Sequence, residues 1–330
     1  MRLLVTGGAG YVGSHTVRLL AEHGHEVTVV DNLSTGHREA VGRVPLVVAD
    51  LAETGLIRDL LRDRRIEAVL HFAAFKSVEE SMRKPERYFR NNVCGSLSLV
   101  EAARAARVGL LVNSSTCAVY GEPARPPISE SAVPEPANPY GESKLAVERM
   151  LASLDRAGHL RHVTLRYFNA AGAWPDGSLG EDWTGAQNLV PAAMRAALTG
   201  STLRVFGADY ATPDGTAVRD YVHVLDLAEA HLAALEHLAR GGESCVLNVG
   251  SGRPASVRQV VLAVEAASGR GIRTEVAPRR AGDVAAIWAD TSRAAAVLSW
   301  AAKRGLAEIA QSAWRWHSGH PSGFADTPGV

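Results

Sequence analysis

The chain has 330 residues, 46% of them apolar and 21% charged, with 35 Lys plus Arg against 35 Asp plus Glu. That length suits about two domains, or one large α/β domain with a lobe, at roughly 150 residues per domain, and the composition excludes wholesale disorder. The charge balance excludes a general nucleic-acid or anionic-membrane binder, and no run of ~18 apolar residues is present to span a bilayer.

The elements follow in chain order. Arg2–Thr6 reads as a short buried strand, Tyr11–His23 as a helix, Glu26–Val30 as a second strand and Leu46–Ala49 as a third. Thr54–Arg64 is helical, with Leu56, Ile57, Leu60 and Leu61 at helical spacing, and Ala68–Phe72 is the fourth strand. A long helix is expected over Glu86–Arg107, then a strand over Gly109–Asn113. Six prolines between Glu122 and Pro139 impose a loop. Tyr140–Ala157 is helical and His162–Tyr167 is a strand. Strands alternating with helices over the first ~170 residues mean βαβ units and a parallel sheet. The alternation then breaks in a glycine-rich stretch over Ala170–Gln187, and the remainder reads as a smaller α+β lobe. Leu225–Ala239 and Val246–Val249 are regular enough to rejoin the main sheet, and the Gly/Pro-rich tail from His317 to Val330 is expected to fray.

Chemistry-bearing residues are sparse. Cys94, Cys117 and Cys245 lie too far apart for a disulfide framework or a zinc spacing, and the 12 histidines give no HExxH pattern, so no metal is expected. The absence of a signal-type apolar segment leaves the cytoplasm as the expected setting. Only four of the 35 cations are lysines: Lys76, Lys84, Lys144 and Lys303.

The first strand runs straight into Thr6-Gly7-Gly8-Ala9-Gly10-Tyr11-Val12-Gly13, where Gly8, Gly10 and Gly13 satisfy G-x-G-x-x-G and Gly7, Gly10 and Gly13 satisfy G-x-x-G-x-x-G. Glycine is needed where a turn takes positive φ and where a pyrophosphate must approach the backbone, and the helix that follows presents its N–H donors. Asp31, 18 residues after Gly13, ends the second strand, where a carboxylate accepts from ribose hydroxyls and repels a 2′-phosphate. NAD is therefore favoured over NADP, bound to a Rossmann-type, doubly wound parallel sheet. Residues 1–168 are the expected cofactor domain, with 223–249 rejoining its sheet, and 169–330 are mainly the substrate lobe.

Tyr140 and Lys144 stand four residues apart at the start of a helix, hence on one face. By itself this spacing recurs by chance; behind a dinucleotide loop it describes a phenol made basic by a neighbouring ammonium and an oxidised nicotinamide. Reaching a useful base near neutrality requires a shift of roughly three units, about 4 kcal/mol.

With those elements placed, the sequence resembles the extended short-chain dehydrogenase/reductase family, in its sugar-nucleotide epimerase/dehydratase branch. The stretches that carry the likeness are TGGAGYVGSHT (6–16), DNLSTG (31–36), HFAAFKSVEES (71–81), NNVCGS (91–96), NPYGESKLAVE (138–148), LRYFNAAGA (165–173), DGTAVRDYVHV (214–224) and RRAGDVAAIWAD (279–290). The resemblance implies a tightly held NAD that is not consumed, and inversion at C4 of UDP-galactose and UDP-glucose through a 4-keto intermediate. Tyr140 would move the proton of the 4-hydroxyl, and Thr116, a departure from the more usual Ser, would keep the neighbouring hydroxyl. Dehydratases of the branch carry an Asp and a Glu at the next two positions; Cys117 and Ala118 stand there and argue against that reaction.

By the same resemblance the cofactor would touch Gly7, Gly10, Tyr11, Val12, Gly13, Asp31, Asn32, Asp50, Leu51, Phe72, Ala73, Ala74, Lys76, Asn91, Tyr140, Lys144 and Phe168. The UDP-sugar would meet Thr116, Tyr140, Asn169, Asn188, Leu189, Arg204, Val205, Phe206, Arg219, Arg280 and Asp283. Ile287 falls where the family sets pocket size against the sugar's C2 group and is of intermediate bulk, which leaves N-acetylhexosamines open. A homodimer through the helices containing Asn91–Arg107 and Tyr140–Ala157 is also implied. Two other readings remain on the residues: a 4-epimerase of another UDP-sugar (N-acetylhexosamine, pentose or glucuronate), and a non-catalytic NAD-binding sensor of the same fold, which would have no need of Thr116, Tyr140 and Lys144 together.

Overall fold

Short runs of valine and leucine lie side by side because each is buried on both faces. The computed structural model describes residues 1–122, 125–184, 188–280 and 283–326. Positions 123–124 of the proline-rich loop, 185–187 of the glycine-rich stretch, 281–282 of the RRAGDVAAIWAD segment and 327–330 of the tail lie outside the described residues.

The first half of the chain alternates β1 (Arg2–Thr6), α1 (Tyr11–Glu22), β2 (Glu26–Asp31), β3 (Leu46–Val48), α2 (Thr54–Asp63), β4 (Ala68–His71), the short α3 (Val78–Arg83) and α4 (Pro85–Tyr88), α5 (Gly95–Ala105), β5 (Leu110–Thr116), α6 (Pro139–Arg156) and β6 (Arg161–Tyr167). The second half adds β7 (Asn169–Ala171), α7 (Leu189–Thr199), β8 (Leu203–Phe206), β9 (Val218–His223), α8 (Val224–Ala239), β10 (Cys245–Val249), β11 (Pro254–Ser256), α9 (Val257–Ser268), β12 (Thr274–Ala277), β13 (Ala286–Ile287), α10 (Ser292–Leu298) and α11 (Leu306–Gly319).

Seven strands form one sheet in the order β10-β6-β5-β4-β1-β2-β3, every neighbouring pair parallel. Side chains alternate across it. Leu3 and Val5 of β1 join Val17 and Leu20 of α1 and Leu227 and Leu235 of α8 on one face. Leu4 joins Ile57 and Leu61 of α2, Leu99 of α5 and Leu151 of α6 on the other. Helix α8 packs on the main sheet and the strand after it joins that sheet, β10 pairing with β6. A lobe beside it holds a sheet ordered β11-β9-β13 with β7 also on β9, and the parallel pair β8 and β12. Its core is Val190 and Met194 of α7, Val260 and Val264 of α9, and Ile309 and Ala313 of α11. The architecture is α/β, a doubly wound parallel sheet with a smaller lobe.

Strand order reverses between β1 and β4, and an open parallel sheet binds its ligands at the carboxyl ends of the strands at that point. Gly7, just after β1, has φ +73°, and a Cβ there would lie 2.4 Å from the Ala73 nitrogen beyond β4. The two loops of the crevice thus touch, backbone on backbone.

Three expectations change. The strand expected to stop at Asn113 continues to Thr116, its ladder with β6 unbroken to Thr116 and Tyr167. The single helix expected over 86–107 is wound as α4, a π-turn over Phe89–Cys94 and α5. Within the π-turn the Ser96 hydroxyl donates to the Asn92 carbonyl at 2.5 Å, competing with the regular ladder. The tail does not fray over its described part: His317 and Phe324 are buried, Phe324 stacks on His37 with ring centroids 4.6 Å apart, and Trp316 stacks on His320 at 3.9 Å.

Candidate active site

The glycine loop is shaped by close approach. A Cβ on Gly13 would sit 2.2 Å from the Gly7 carbonyl oxygen, so α1 can begin only if that position is bare. Gly10 caps α1 without any side chain, which leaves the first N–H groups of the helix facing the crevice. Asp31 accepts from the Ala9 amide at 3.0 Å with one oxygen and from the Leu33 amide at 2.8 Å with the other. An ionised carboxylate has about four acceptor sites, so it retains capacity for ribose hydroxyls. Asn32 donates to Asp50 at 2.9 Å. Leu51 is buried beneath Gly95, and Val12 and Phe72 rest on the sheet's core. Tyr11 reaches across to the second half of the chain, its hydroxyl donating to the Gly172 carbonyl at 2.6 Å. Cradle, open helix end and acidic rim fit a dinucleotide that lacks a 2′-phosphate.

Beyond β4 the loop through Ala73, Ala74 and Lys76 is held by a residue that sequence reasoning missed. Asn92, 1% exposed in the π-turn, accepts from the Phe75 amide at 2.8 Å and donates to the Phe75 carbonyl and to the Ser143 hydroxyl of α6. Asn91 donates to the Asn92 side chain at 2.9 Å. The pair Asn91-Asn92 was visible in the sequence, but which of the two turned inward depended on the π-winding.

Tyr140 and Lys144 lie on the inner face of α6, whose first turn is capped by the Asn138 side chain accepting from the Gly141 amide. Thr116, at the end of β5, accepts from the Ala118 amide at 3.1 Å, and its hydroxyl acts on the Tyr140 phenol, drawing it down. Burial pushes Tyr140 up to about 12, against that downward pull from Thr116. Burial pushes Lys144 down to about 8, with the Glu148 carboxylate pulling the other way. The lowering expected at Tyr140 from Lys144 is not realised by the chain alone: burial raises the phenol, and the group that lowers it is Thr116. His71, beside Lys144, is pushed down to about 3 by burial and by that ammonium, and holds Thr6 and Ser96 at 2.7 and 2.8 Å.

One turn beyond Lys144, Glu148 forms a buried bidentate pair with Arg166 of β6, its shortest contact 2.6 Å, and accepts from the Ser115 hydroxyl of β5. This knot, also absent from the sequence reading, ties α6 to both strands that border the site.

The residues expected on the substrate side fall in three groups. Arg219 of β9 donates to the carbonyls of Val218 and Val284 and pairs with Asp283 at 3.4 Å. Arg280 lies 3.9 Å over the Phe206 ring and Arg204 lies 5.2 Å from the same ring, whereas Val205 alternates to the other side of β8 and is buried. Structure thus gathers Arg204, Phe206 and Arg280 but turns the Val205 side chain away from them. Ile287 pairs with Arg219 across β13 and β9 and belongs to one apolar cluster with Phe168, Val119 and Cys117. Burial pushes the Cys117 thiol up to about 12, so it is a wall and not a base. Asn169 donates to the Asp220 carbonyl at 3.1 Å. Asn188 caps α7 ahead of Leu189 and donates to Glu181 at 3.3 Å.

This geometry has close counterparts. The NAD dependent epimerase/dehydratase family matches residues 3–250. The UDP-glucose 4-epimerase of Lactobacillus helveticus is 43% identical over 329 residues, covering 99% of this chain and 100% of that one. A UDP-glucose-4-epimerase structure from Stenotrophomonas maltophila, with bound NAD and formylated UDP-arabinopyranose, superposes with a TM-score of 0.93 at 42% identity over 96% of this chain and 98% of that one. That of Bifidobacterium longum, in complex with NAD+ and UDP, gives 0.92 at 37% identity over 98% and 100%. With its glycine cradle at the switch point, an acid that ends β2 and a Tyr-x-x-x-Lys face on α6, the chain belongs to the NAD-dependent epimerase/dehydratase family.

Proposed function

We propose that the chain catalyses reversible inversion at C4, interconverting UDP-galactose and UDP-glucose with NAD that is retained and not consumed. Tyr140, as phenolate, accepts the proton of the sugar 4-hydroxyl and later returns it. Thr116, whose hydroxyl acts on Tyr140, holds the same oxygen and relays the proton. NAD, when bound, supplies the hydride acceptor for C4 and a positive charge beside the phenol. That charge matters because Tyr140 in the chain alone is pushed up to about 12. Lys144 adds its ammonium from the next turn, kept charged by Glu148. Arg219 and Arg280 are the proposed diphosphate partners, with Asp283 on the ribose. The observation that carries this reading is Thr116 and Lys144 placed with Tyr140 beside a NAD cradle, next to Cys117 and Ala118, which supply no acid or base for dehydration.

The proposal extends to a homodimer and to the cytoplasm. Met82, Phe89 and Leu97 stand exposed on α3, the π-turn and α5, a run of apolar side chains in keeping with a second copy, and the three cysteines are free. A sedimentation mass of a single chain would remove the dimer. For the activity, purified protein is incubated with UDP-galactose and no added NAD, and UDP-glucose is expected. Tyr140→Phe should lower turnover by about 10²–10⁴-fold while the nicotinamide stays bound. Conversion of a different UDP-sugar, with none of UDP-galactose, would overturn the substrate; full turnover by the phenylalanine variant would overturn the base.

A further inference from the structure

Glu181 lies in the connection between β7 and α7 and has no part in the chemistry described above. It is 6% exposed, and its position is fixed by the backbone on either side. Its carbonyl accepts from the Trp316 indole at 3.0 Å. Gly180 is pressed against the same ring, where a Cβ would fall 2.3 Å from Cγ. The carboxylate is thus a rigid group on α11's scaffold. One oxygen, Oε1, serves two partners: Lys76 Nζ at 3.5 Å, from the loop after β4, and Asn188 Nδ2 at 3.3 Å, from the cap of α7. Tyr11 is near enough for the Glu181 charge, after burial, to raise its phenol further.

The two partners differ in what holds them. The Lys76 side chain is 66% exposed, and a lysine that free loses rotamer entropy when fixed. Its ion pair to Glu181 pre-orders it over the crevice. Asn188 brings no side-chain cap to its own helix, so its amide is free to turn, and the bond to Glu181 fixes it.

We propose that Glu181 is a positioning residue that couples the two ligand sites: a single carboxylate oxygen pre-orders Lys76 for the dinucleotide and Asn188 for the nucleotide sugar, so a change on one side is felt on the other. This rests on the reading above in which Lys76 and Asn188 contact those ligands.

The test uses the full chain as purified, with Glu181→Gln, Lys76→Met and the double variant. Glutamine keeps the shape but removes the charge that holds Lys76 and strips the Asn188 bond of its charge assistance. Two quantities are read: NAD released per chain on denaturation, and the Kd of UDP by calorimetry. Glu181→Gln is expected to lower retained NAD and to weaken UDP by about tenfold, one charge-assisted contact's worth. Lys76→Met, at an exposed position on the cofactor side, is expected to weaken UDP by a similar factor, and the double variant to add little to either single one. UDP affinity and NAD content unchanged in Glu181→Gln would overturn the proposal. So would fully additive losses, or a Lys76→Met protein that loses NAD while binding UDP as before. If the unaltered protein itself fails to bind UDP, the reading of the site fails instead.

Discussion

Tyr140 shows how far a single side chain is from doing its work alone. A phenol already needs help to act as a base near neutrality, and burial here moves it the wrong way, up to about 12. In the chain alone only the Thr116 hydroxyl pulls the other way; the ammonium four residues on is itself pushed down to about 8. Lys144 is 4% exposed, so its compact head occupies a space already closed. Lys144→Arg keeps the charge but must insert a planar guanidinium. We expect it to lower turnover by about 10²-fold or more with the protein still folded by circular dichroism. Wild-type rates from that variant would show that only charge is required at position 144. The sequence reading anticipated this pair from its spacing behind a dinucleotide loop. It did not anticipate the direction of the Tyr140 shift, because desolvation is a property of everything packed around the ring.

At the scale of elements, α6 carries the catalytic face but depends on its next turn for position. Glu148 binds Arg166 of β6 and Ser115 of β5, one residue from Thr116. Removing one partner of a buried ion pair strands the other charge, at a cost of about 3–5 kcal/mol. Glu148→Ala should therefore lower the urea midpoint sharply and also reduce turnover, and Arg166→Met placed on top should recover part of the stability, since no charge is then left uncompensated. Additive losses in the double variant would show that the two residues act separately. Strands β1 and β2 and helices α1 and α2 were legible because apolar residues repeat at their own period. The π-turn over Phe89–Cys94 was not: Asn92 within it and Ser96 just after it are bonded to Phe75, His71 and Ser143, partners that come from elsewhere in the chain.

For the molecule as a whole, buried histidines set the response to acid. Burial pushes His15 and His231 down to about 4, and His71, His223 and His317 down to about 3. Unfolded histidines take up protons near the usual value of about 6.5. Below that pH the unfolded chain binds more protons than the folded one, so stability is full above about 6.5 and falls as pH drops toward 4. Each such histidine contributes up to about 1.4 kcal/mol per pH unit in that window. His317 Nδ1 has no hydrogen-bond partner among the described residues, so a proton there would meet no acceptor. Urea midpoints measured at pH 7.5, 6 and 5 should fall steeply between the last two; a flat series would exclude this account. These histidines come from α1, β4, β9, α8 and α11, so protonation strains both lobes together.

The sequence by itself determined the parallel sheet, the glycine cradle with Asp31, and the Tyr140–Lys144 face. Each of these rests on a local rule: hydrophobic period, positive φ and close approach at glycine, or four-residue spacing on a helix. The tertiary structure alone decided that β5 carries Thr116 to the phenol, that Val205 turns away while Phe206 gathers Arg204 and Arg280, and that Asn92, Glu148 and Glu181 hold the site's edges. It also decided that the tail as far as residue 326 is docked, against His37. Those outcomes depend on which distant segments meet, and a buried polar group takes whatever partner the fold brings within about 3 Å. No local rule in the chain specifies that partner.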